Sequence, residues 1–245
     1  MECIYKKPST LVADAKSGFC PGCTYGTVVK IIAEIVEELD IREKVMMPLG
    51  VGCAVSARDW VDFDSMMSLH GRTSASGLGF KRVHPERVTI ILQGDGDAVA
   101  IGMAETMHTA NRGEPVTVIL VNNQIYGRTG GQMAPTTLIG QSSTTSPYGK
   151  RIETAGYPIH MAELIAGLNT PKYVARCSVH SPKEILRTKA AIKRGVELQI
   201  NDNAYSFIEV ITACTTNLGI SADKVSDYIE GVVLKEFPLG VFKGE

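Results

Sequence analysis

The chain contains two periods of apolar residues, one typical of helices and one typical of buried strands. Across residues 26–39 apolar side chains recur at spacings of three and four, which predicts a helix with one buried face. Residues 88–92 and 116–121 are apolar almost throughout, as expected for central strands of a parallel sheet. Residues 98–111 between them are predicted to be helical. The pattern therefore indicates a strand–helix–strand unit in the middle of the chain.

The same periods recur on both sides of this unit. They predict further strands over Val45–Leu49, residues 173–179 and Ser206–Ile211, and helices over residues 72–82 and 182–198, the last with Ser181 as its N-cap. Strands that alternate with helices favour an α/β fold with a doubly wound, mainly parallel sheet. We expect residues 1–245 to form one domain. Residues 127–157 lack periodicity, and a loop of that length is usually functional or packed against a partner.

Polar residues follow the two central strands where each strand ends. Gly94-Asp95-Gly96 closes the first, and Asn122-Asn123 closes the second after 25 intervening residues. Asp95, the Asn123 side-chain oxygen and a main-chain carbonyl just beyond it are hard oxygen ligands of the kind that Mg²⁺ binds, usually together with a phosphate. The glycines permit close approach of phosphates, and the helix start after Asp97 favours an anion. The simpler interpretation is that Asp95 caps the helix and Asn-Asn forms an ordinary turn.

Charge and composition exclude several classes of partner. The 245 residues have a formal net charge of −1 and no run of basic residues, so a nucleic-acid partner is not expected. No apolar run reaches membrane-spanning length, and the N-terminal residues lack the apolar core of a secretion signal. We therefore expect a soluble, cytoplasmic protein without a membrane partner. Cysteines grouped in such a protein indicate metal or redox chemistry rather than disulfides.

Four of the six cysteines, in three segments, are informative. Cys20 and Cys23 form a C-P-G-C turn, Cys53 ends the glycine loop G-V-G-C, and Cys214 follows the last predicted strand. A thioredoxin-type dithiol should lie between a strand and a helix near the start of its fold, which does not suit this turn. Four thiolates suit a structural zinc ion and an iron–sulfur cluster equally well, and spacing alone does not separate the two.

The motifs taken together resemble one family. C-P-G-C, G-V-G-C, His70-Gly71-Arg72, G-D-G, N-N-Q-I-Y-G, T-G-G-Q and a late cysteine followed by T-x-N occur in the order found in the β subunit of the 2-oxoacid:ferredoxin oxidoreductases. The resemblance covers roughly residues 18–217. It implies the diphosphate-binding half of a thiamine-diphosphate fold, with thiamine diphosphate, Mg²⁺ and a proximal 4Fe–4S cluster as cofactors.

The resemblance also implies site residues. The cluster ligands would be Cys20, Cys23, Cys53 and Cys214; Cys177 competes for the fourth place but lies within a predicted strand, where a small buried thiol explains it. Thr215 stands after Cys214 where proline is common, a departure that does not touch a ligand. Mg²⁺ would be bound by Asp95, Asn123 and the main chain of Ile125. The remaining cofactor contacts implied are Gly50, Gly52, Cys53, His70, Gly71, Gly94, Gly96, Asp97, Gly127 and Thr129.

His70 is the implied catalytic residue at the thiazolium end of the cofactor or at its phosphates. Without the resemblance, a histidine satisfied by hydrogen bonds at a strand end would explain it. Arg128 is the second candidate, because it follows Tyr126-Gly127 where the family often has leucine, and it could pair with the second carboxylate of 2-oxoglutarate. The alternative is an arginine that faces phosphate or a neighbouring subunit. Ser56 stands where some members have lysine, which weakens the case for a dicarboxylic 2-oxoacid.

The implied reaction is the oxidative decarboxylation of a 2-oxoacid, in which coenzyme A captures the acyl group and ferredoxin receives the electrons. An α subunit would supply the activating glutamate, and γ- and δ-type subunits would supply relay iron–sulfur clusters. Residues 127–157 and the C-terminal segment 231–245 are the expected surfaces for these partners, although the C-terminal segment could equally pack onto its own domain. Two other functions remain as alternatives: a non-oxidative thiamine-diphosphate decarboxylase subunit, which would lack iron, and a zinc-stabilised scaffold, which would lack thiamine.

Overall fold

Residues 6–244 are described by a computed structural model, so Cys3 lies outside the described residues. Nine strands form within this range. They are β1 (Val45–Leu49), β2 (Asp64–Met67), β3 (Val88–Gly94), β4 (Thr117–Asn122), β5 (Ile125–Tyr126), β6 (Gln132–Met133), β7 (Tyr173–Ser178), β8 (Ser206–Ile211) and β9 (Gly240–Lys243).

Seven of these strands form one sheet in the order β2-β1-β3-β4-β8-β7-β9. All neighbours are parallel except β7 and β9, which pair antiparallel at one edge. The predicted α/β, mainly parallel fold is therefore confirmed. Strands β5 and β6 form a separate two-stranded hairpin beyond the carboxyl end of β4.

Helices cover both faces of the sheet, because every central strand is apolar on both sides. One face packs against α1 and α6 and buries Ile90, Leu92, Ile119 and Val121, while the alternate residues of the same strands pack against α2, α3 and α5 on the other. The helices are α1 (Tyr25–Glu38), α2 (Thr73–Val83), α3 (Met103–Arg112), α4 (Ile152–Ala155), α5 (Met161–Ala166), α6 (Pro182–Asp202), α7 (Thr215–Leu218), α8 (Val225–Tyr228) and α9 (Leu234–Glu236). Ser181 caps α6 as predicted, since its hydroxyl accepts a hydrogen bond from Glu184 N.

The helix predicted over residues 98–111 differs from the observed one. A π-helical segment, Gly96–Ile101, follows β3 directly, and α3 begins only after Gly102. The interruption has a physical cause. A methyl group on Gly102 would lie 2.6 Å from Asp97 O and 2.8 Å from Gly71 Cα, so only glycine fits where the loop after β2 crosses this segment.

The C-terminal segment packs onto the rest of the chain. Phe237 is fully buried, and β9 extends the sheet beside β7. The described residues of this segment thus pack onto their own domain, and its role as a surface for a partner chain stays a prediction. No helix within residues 6–244 combines the length and the apolarity needed to cross a membrane.

Candidate active site at the carboxyl ends of the central strands

The carboxyl ends of β3 and β4 lie side by side, since Gly94 pairs with Val121. Ligands of open parallel sheets bind beyond this edge, and a cleft opens here. Most of the predicted site residues line it: Gly52, Cys53, His70, Gly94, Asp95, Gly96, Asp97, Asn123, Ile125, Gly127, Arg128 and Thr129. Gly50 and Gly71 are not among the lining residues. The strand order therefore brings together residues that are up to 77 positions apart in the sequence.

Asp95 is the buried carboxylate of the cleft. Its Oδ1 accepts a hydrogen bond from Gly96 N at 2.9 Å, and its Oδ2 accepts one from Thr136 Oγ1 at 2.6 Å. Burial nevertheless raises the pKa of Asp95 to about 6, because the two hydrogen bonds compensate only part of the lost hydration. A buried carboxylate held in this way is a suitable donor for a cation, which would supply the missing positive charge.

The turn after β4 presents Asn123 to the cleft. Asn123 Oδ1 accepts a hydrogen bond from Ile125 N at 3.2 Å, and Gln124 between them has a φ of 59°, in the left-handed region. Such a conformation costs about 1–3 kcal/mol at a non-glycine residue and persists only where the surroundings enforce it. Here Asn122 Oδ1 accepts hydrogen bonds from both the main-chain and side-chain nitrogens of Gln124, and Gln124 O accepts one from Thr137 Oγ1.

Asn122 itself faces away from the cleft into a buried ionic network. Its Nδ2 donates to Glu209 Oε1 at 2.7 Å, and Arg176 Nε donates to Glu209 Oε2 at 2.9 Å. Arg176 is fully buried and also pairs with Glu163. The two adjacent asparagines therefore have different roles: the first anchors the turn to β8, and only the second reaches the cleft.

His70 is held against the cleft by Asp97. The Asp97 carboxylate contacts His70 Nδ1 at 2.6 Å and accepts hydrogen bonds from Gly71 N at 2.7 Å and Thr73 Oγ1 at 2.8 Å. These three contacts leave only the main chain of Asp97 for a diphosphate. A carboxylate on Nδ1 directs the other ring nitrogen of His70 away from Asp97, as in histidines that transfer protons.

Glycines behind the cleft provide close packing. A methyl group on Gly50 would lie 2.7 Å from Asp97 Oδ2, and one on Gly71, whose φ is +79°, would lie 2.8 Å from Gly102 N. Gly50 thus makes room for the Asp97 carboxylate, and Gly71 makes room for the start of the Gly102 turn. The direct cofactor contacts that we predicted for these two glycines stay predictions.

The cysteines meet at the end of the cleft. Gly127 lies between two of them, since a methyl group there would be 3.4 Å from Cys214 Sγ and 3.6 Å from Cys53 Sγ. Burial raises the pKa of Cys53 to about 12, and the Cys23, Cys214 and Cys20 thiols add to the effect. Cys177 is separate: it is buried in β7, where burial raises its pKa to about 12.

The four thiols do not form a site for a single metal ion. Within residues 6–244, no three cysteine, histidine or acidic side chains have the arrangement that one ion requires. An iron–sulfur cluster is larger than an ion, so the thiolates that hold it lie farther apart than the ligands of one ion. The set Cys20, Cys23, Cys53 and Cys214 remains a prediction, supported by the position of Cys53 Sγ and Cys214 Sγ on either side of Gly127.

Comparison with known proteins identifies the family. Residues 50–210 match the model of the thiamine pyrophosphate enzyme C-terminal TPP binding domain. The chain is 42% identical, over 98% of its length, to a ketoisovalerate oxidoreductase subunit (VorA) from Methanothermobacter thermautotrophicus. It is 37% identical, over 82% of its length and 70% of the relative's, to a 2-oxoglutarate synthase subunit (KorB) from Methanocaldococcus jannaschii. The chain belongs to the thiamine-diphosphate-binding subunits of the 2-oxoacid:ferredoxin oxidoreductase family.

Two further facts define the extent of this match. The chain spans 52% of the length of the VorA subunit, so it corresponds to about half of that relative. A 2-oxoglutarate:ferredoxin oxidoreductase from Magnetococcus marinus, solved with 2-oxoglutarate, coenzyme A and succinyl-CoA bound, has the same fold, with a TM-score of 0.80 over 98% of this chain and 85% of that one. The sequence identity between the two is 23%.

Arg128 lies at the mouth of the cleft. Its Nη1 donates to Ser56 Oγ at 2.9 Å, which joins the two positions that the sequence singled out for substrate choice. Arg128 also lines a neighbouring cavity with Lys16 and Arg58. The guanidinium is exposed, so it is positioned to meet a ligand that enters the cleft from outside.

Several residues of the site were not predicted from the sequence. Thr136 contacts Asp95 from within the long loop, Thr73 supports Asp97, and Tyr25 and Tyr126 form walls of the cleft. Thr136 had no sequence signal, because it follows no strand and belongs to no motif. Tyr25 could have been suspected from its place two residues after Cys23.

Proposed function

We propose that this chain is the cofactor-binding subunit of a CoA-dependent 2-oxoacid:ferredoxin oxidoreductase. One observation carries the proposal: the cysteines adjoin the cleft. Cys53 and Gly127 both line the cleft, and Gly127 lies beside the sulfur atoms of Cys53 and Cys214. A thiamine enzyme that passes electrons to ferredoxin needs its reaction centre next to an electron acceptor, and this arrangement would place the two in contact.

Mg²⁺ would be held by Asp95 Oδ2 or Oδ1, Asn123 Oδ1 and the main-chain carbonyl of Ile125, and the diphosphate by the main chain around Gly94, Gly96, Gly127 and Thr129. Thiamine diphosphate supplies, when bound, the carbon nucleophile that adds to the 2-oxoacid carbonyl and accepts the electrons released with CO₂. The chain's own residues would orient the reactants. His70, fixed by Asp97, would exchange a proton at its free ring nitrogen.

A 4Fe–4S cluster would be held by Cys20, Cys23, Cys53 and Cys214. The donor set fits the chemistry of a cluster, because all four are free thiols, Cys53 lines the cleft, and Cys53 Sγ and Cys214 Sγ lie on either side of Gly127. Asn217 Nδ2 donates to Cys214 Sγ at 3.3 Å, a contact that orients this sulfur. The cluster would accept electrons one at a time and lead them away from the cleft.

The substrate would be a branched-chain 2-oxoacid or 2-oxoglutarate, with coenzyme A as the acyl acceptor. The relatives named for ketoisovalerate and for 2-oxoglutarate support both possibilities. An α-type chain would add the activating glutamate, and γ- and δ-type chains would relay electrons to ferredoxin. The names of the relatives support partner chains in general, since each is a subunit.

The first test is metal and cofactor analysis of protein purified without oxygen. We expect about four irons and four sulfides per chain, a broad brown absorbance and copurified thiamine diphosphate with Mg²⁺. A quadruple variant in which Cys20, Cys23, Cys53 and Cys214 are serine should lose iron, whereas Cys177→Ser should keep it. Thiamine diphosphate without iron would indicate a non-oxidative decarboxylase subunit, and zinc without colour or thiamine would indicate a scaffold.

A further inference from the structure

Tyr25 carries a buried hydroxyl that makes no hydrogen bond within the described part of the chain. The residue is 2% exposed at the start of α1, and its Oη has no hydrogen-bond partner among residues 6–244. An unsatisfied buried hydroxyl is unfavourable, because it has lost water without gaining a replacement. A fold retains such a group most readily where a ligand completes it.

The position of the ring shows which end faces the cleft. Phe19 stacks on the ring at a centroid distance of 5.3 Å, and the body of the ring packs in the core with α1. Tyr25 is also part of the cleft wall. Cys53, Asp95 and Asp97 line the same cleft. Because the ring is stacked on Phe19 and packed in the core, we assign the hydroxyl end of Tyr25 to the cleft.

The surroundings also determine what the hydroxyl can bind. The carboxylates of Asp95 and Asp97, which line the same cleft, accept hydrogen bonds from other groups, and a phenol can donate one hydrogen bond. The missing partner is thus an acceptor atom that enters the cleft from outside. Under the proposed function, the group that fills the cleft between Asp95 and Cys53 is the cofactor, which is rich in acceptor oxygens and nitrogens.

We propose that Tyr25 is a further cofactor-binding residue, whose hydroxyl donates a hydrogen bond to thiamine diphosphate when the cofactor occupies the cleft. The inference rests on the proposed function. It adds a residue from the N-terminal helix to a site otherwise built from residues that follow β1, β2, β3 and β4. It also connects the cofactor to the C-P-G-C turn, since Cys23 lies two residues before Tyr25.

The test compares Tyr25→Phe with Tyr205→Phe. Tyr205 is a matched control, because its hydroxyl is also buried and unpartnered within the described part of the chain but lies in the core beneath α3 and α5. Binding of thiamine diphosphate with Mg²⁺ to the full chain, in the assembly in which it is purified, is measured by isothermal titration calorimetry. We expect Tyr25→Phe to raise the Kd about tenfold, the effect of one buried hydrogen bond, and Tyr205→Phe to leave it within about twofold.

Thermal unfolding without cofactor provides the second readout. Neither variant should lower the Tm, because each removes an unsatisfied group while the ring keeps its packing. A Tyr25→Phe protein that binds like wild type would overturn the inference and leave the proposed function intact. A fall of several degrees in the cofactor-free Tm would also overturn it, since the hydroxyl would then have a structural partner. A wild-type protein that does not bind thiamine diphosphate would overturn the proposed function, and the inference with it.

Discussion

Arg128 is the residue whose chemistry bears most directly on substrate choice. Its guanidinium is held by Ser56 at the mouth of the cleft and remains exposed. A planar guanidinium can bind a carboxylate through two parallel hydrogen bonds, which an apolar side chain at this position cannot do. If Arg128 binds the distal carboxylate of 2-oxoglutarate, it determines which 2-oxoacid is preferred rather than the rate for all substrates.

We predict that Arg128→Leu lowers kcat/KM for 2-oxoglutarate by at least about tenfold, since a charge-assisted hydrogen bond contributes about 1.5–3 kcal/mol. The value for 2-oxoisovalerate should change much less, because that substrate has no second carboxylate. Steady-state assays with both substrates at a fixed coenzyme A concentration provide the comparison.

Arg58→Leu is the control for the loss of positive charge. Arg58 lines the same neighbouring cavity as Arg128 but not the cleft. It is about half exposed and pairs with Asp59, so its substitution removes a nearby positive charge without changing the cleft wall. An unchanged substrate preference in Arg128→Leu would show that the arginine faces phosphate or another subunit.

Single residues also show the limit of motif-based prediction. The sequence identified Asp97 as a diphosphate contact because it follows G-D-G. In the structure its carboxylate is engaged by His70, Gly71 and Thr73, which come from a loop 24–27 positions earlier. No local pattern reports this contact, since it depends on how α2 packs beside β3. The motif predicted the location of Asp97 but not the partner of its side chain.

At the scale of elements, the junction between β3 and the π-helical segment places two glycines in different environments. Gly94 lines the cleft, and a methyl group there would meet no protein atom closer than Val121 O at 4.0 Å. Gly96 also lines the cleft, but a methyl group there would overlap with the Tyr126 ring. One glycine leaves space for a ligand, and the other leaves space for a side chain of the protein.

This difference predicts opposite effects of two alanine substitutions. Gly96→Ala should lower the free energy of unfolding by about 1–3 kcal/mol, the usual cost of overpacking a rigid site. Gly94→Ala should leave the Tm nearly unchanged and raise the Kd for thiamine diphosphate roughly tenfold or more, because the main chain could no longer approach the diphosphate. Thermal unfolding and calorimetric titration measure the two effects separately.

The double variant Gly96→Ala/Tyr126→Leu is the control, since the smaller side chain should recover part of the lost stability. Equal losses of stability in both single variants would contradict the assignment, as would wild-type cofactor affinity in Gly94→Ala.

Elements with a strong period were predictable, and those at the edges were not. The sequence predicted five central strands and two long helices to within a few residues: β1, β3, β4, β7, β8, α1 and α6. The strands are buried on both faces and are therefore mostly apolar, and each helix buries one face and therefore has a regular apolar period. Strand β2 has no buried residue, and β9 is largely exposed, so neither has a hydrophobic pattern to detect. Both pair through their main chains at the ends of the sheet, and main-chain pairing leaves little trace in the sequence.

At the scale of the whole molecule, the cleft has an apolar margin. Val51 and Met67 in its wall are 38% and 50% exposed, and Leu69 beside His70 is 79% exposed. Ile101, which contacts Gly71 from the π-helical segment, is 49% exposed. Contiguous apolar side chains around a polar site are typical of a surface covered by another protein. This margin supports the proposal that a partner chain closes the cleft.

We therefore predict that the purified chain binds thiamine diphosphate and Mg²⁺ but turns over at least about a hundredfold more slowly than the assembly that contains its partner chain. Under the proposed function a partner chain supplies the glutamate that activates the cofactor, and a missing acid–base group costs about 10²–10⁴ in rate. Reduction of a viologen dye by 2-oxoisovalerate and coenzyme A, measured for both preparations at equal iron content, gives the comparison.

Calorimetric binding of the cofactor by the isolated chain is the control that separates a missing partner from a damaged fold. Substitution of a residue in the apolar margin should also slow turnover in the full assembly. Leu69→Asp places a charge on a side chain that contributes little to the core, so it should weaken association with the partner while the isolated chain keeps its Tm. If the isolated chain instead turns over as fast as the assembly, the activating group lies within this chain, and the apolar margin must be explained by something other than a catalytic partner.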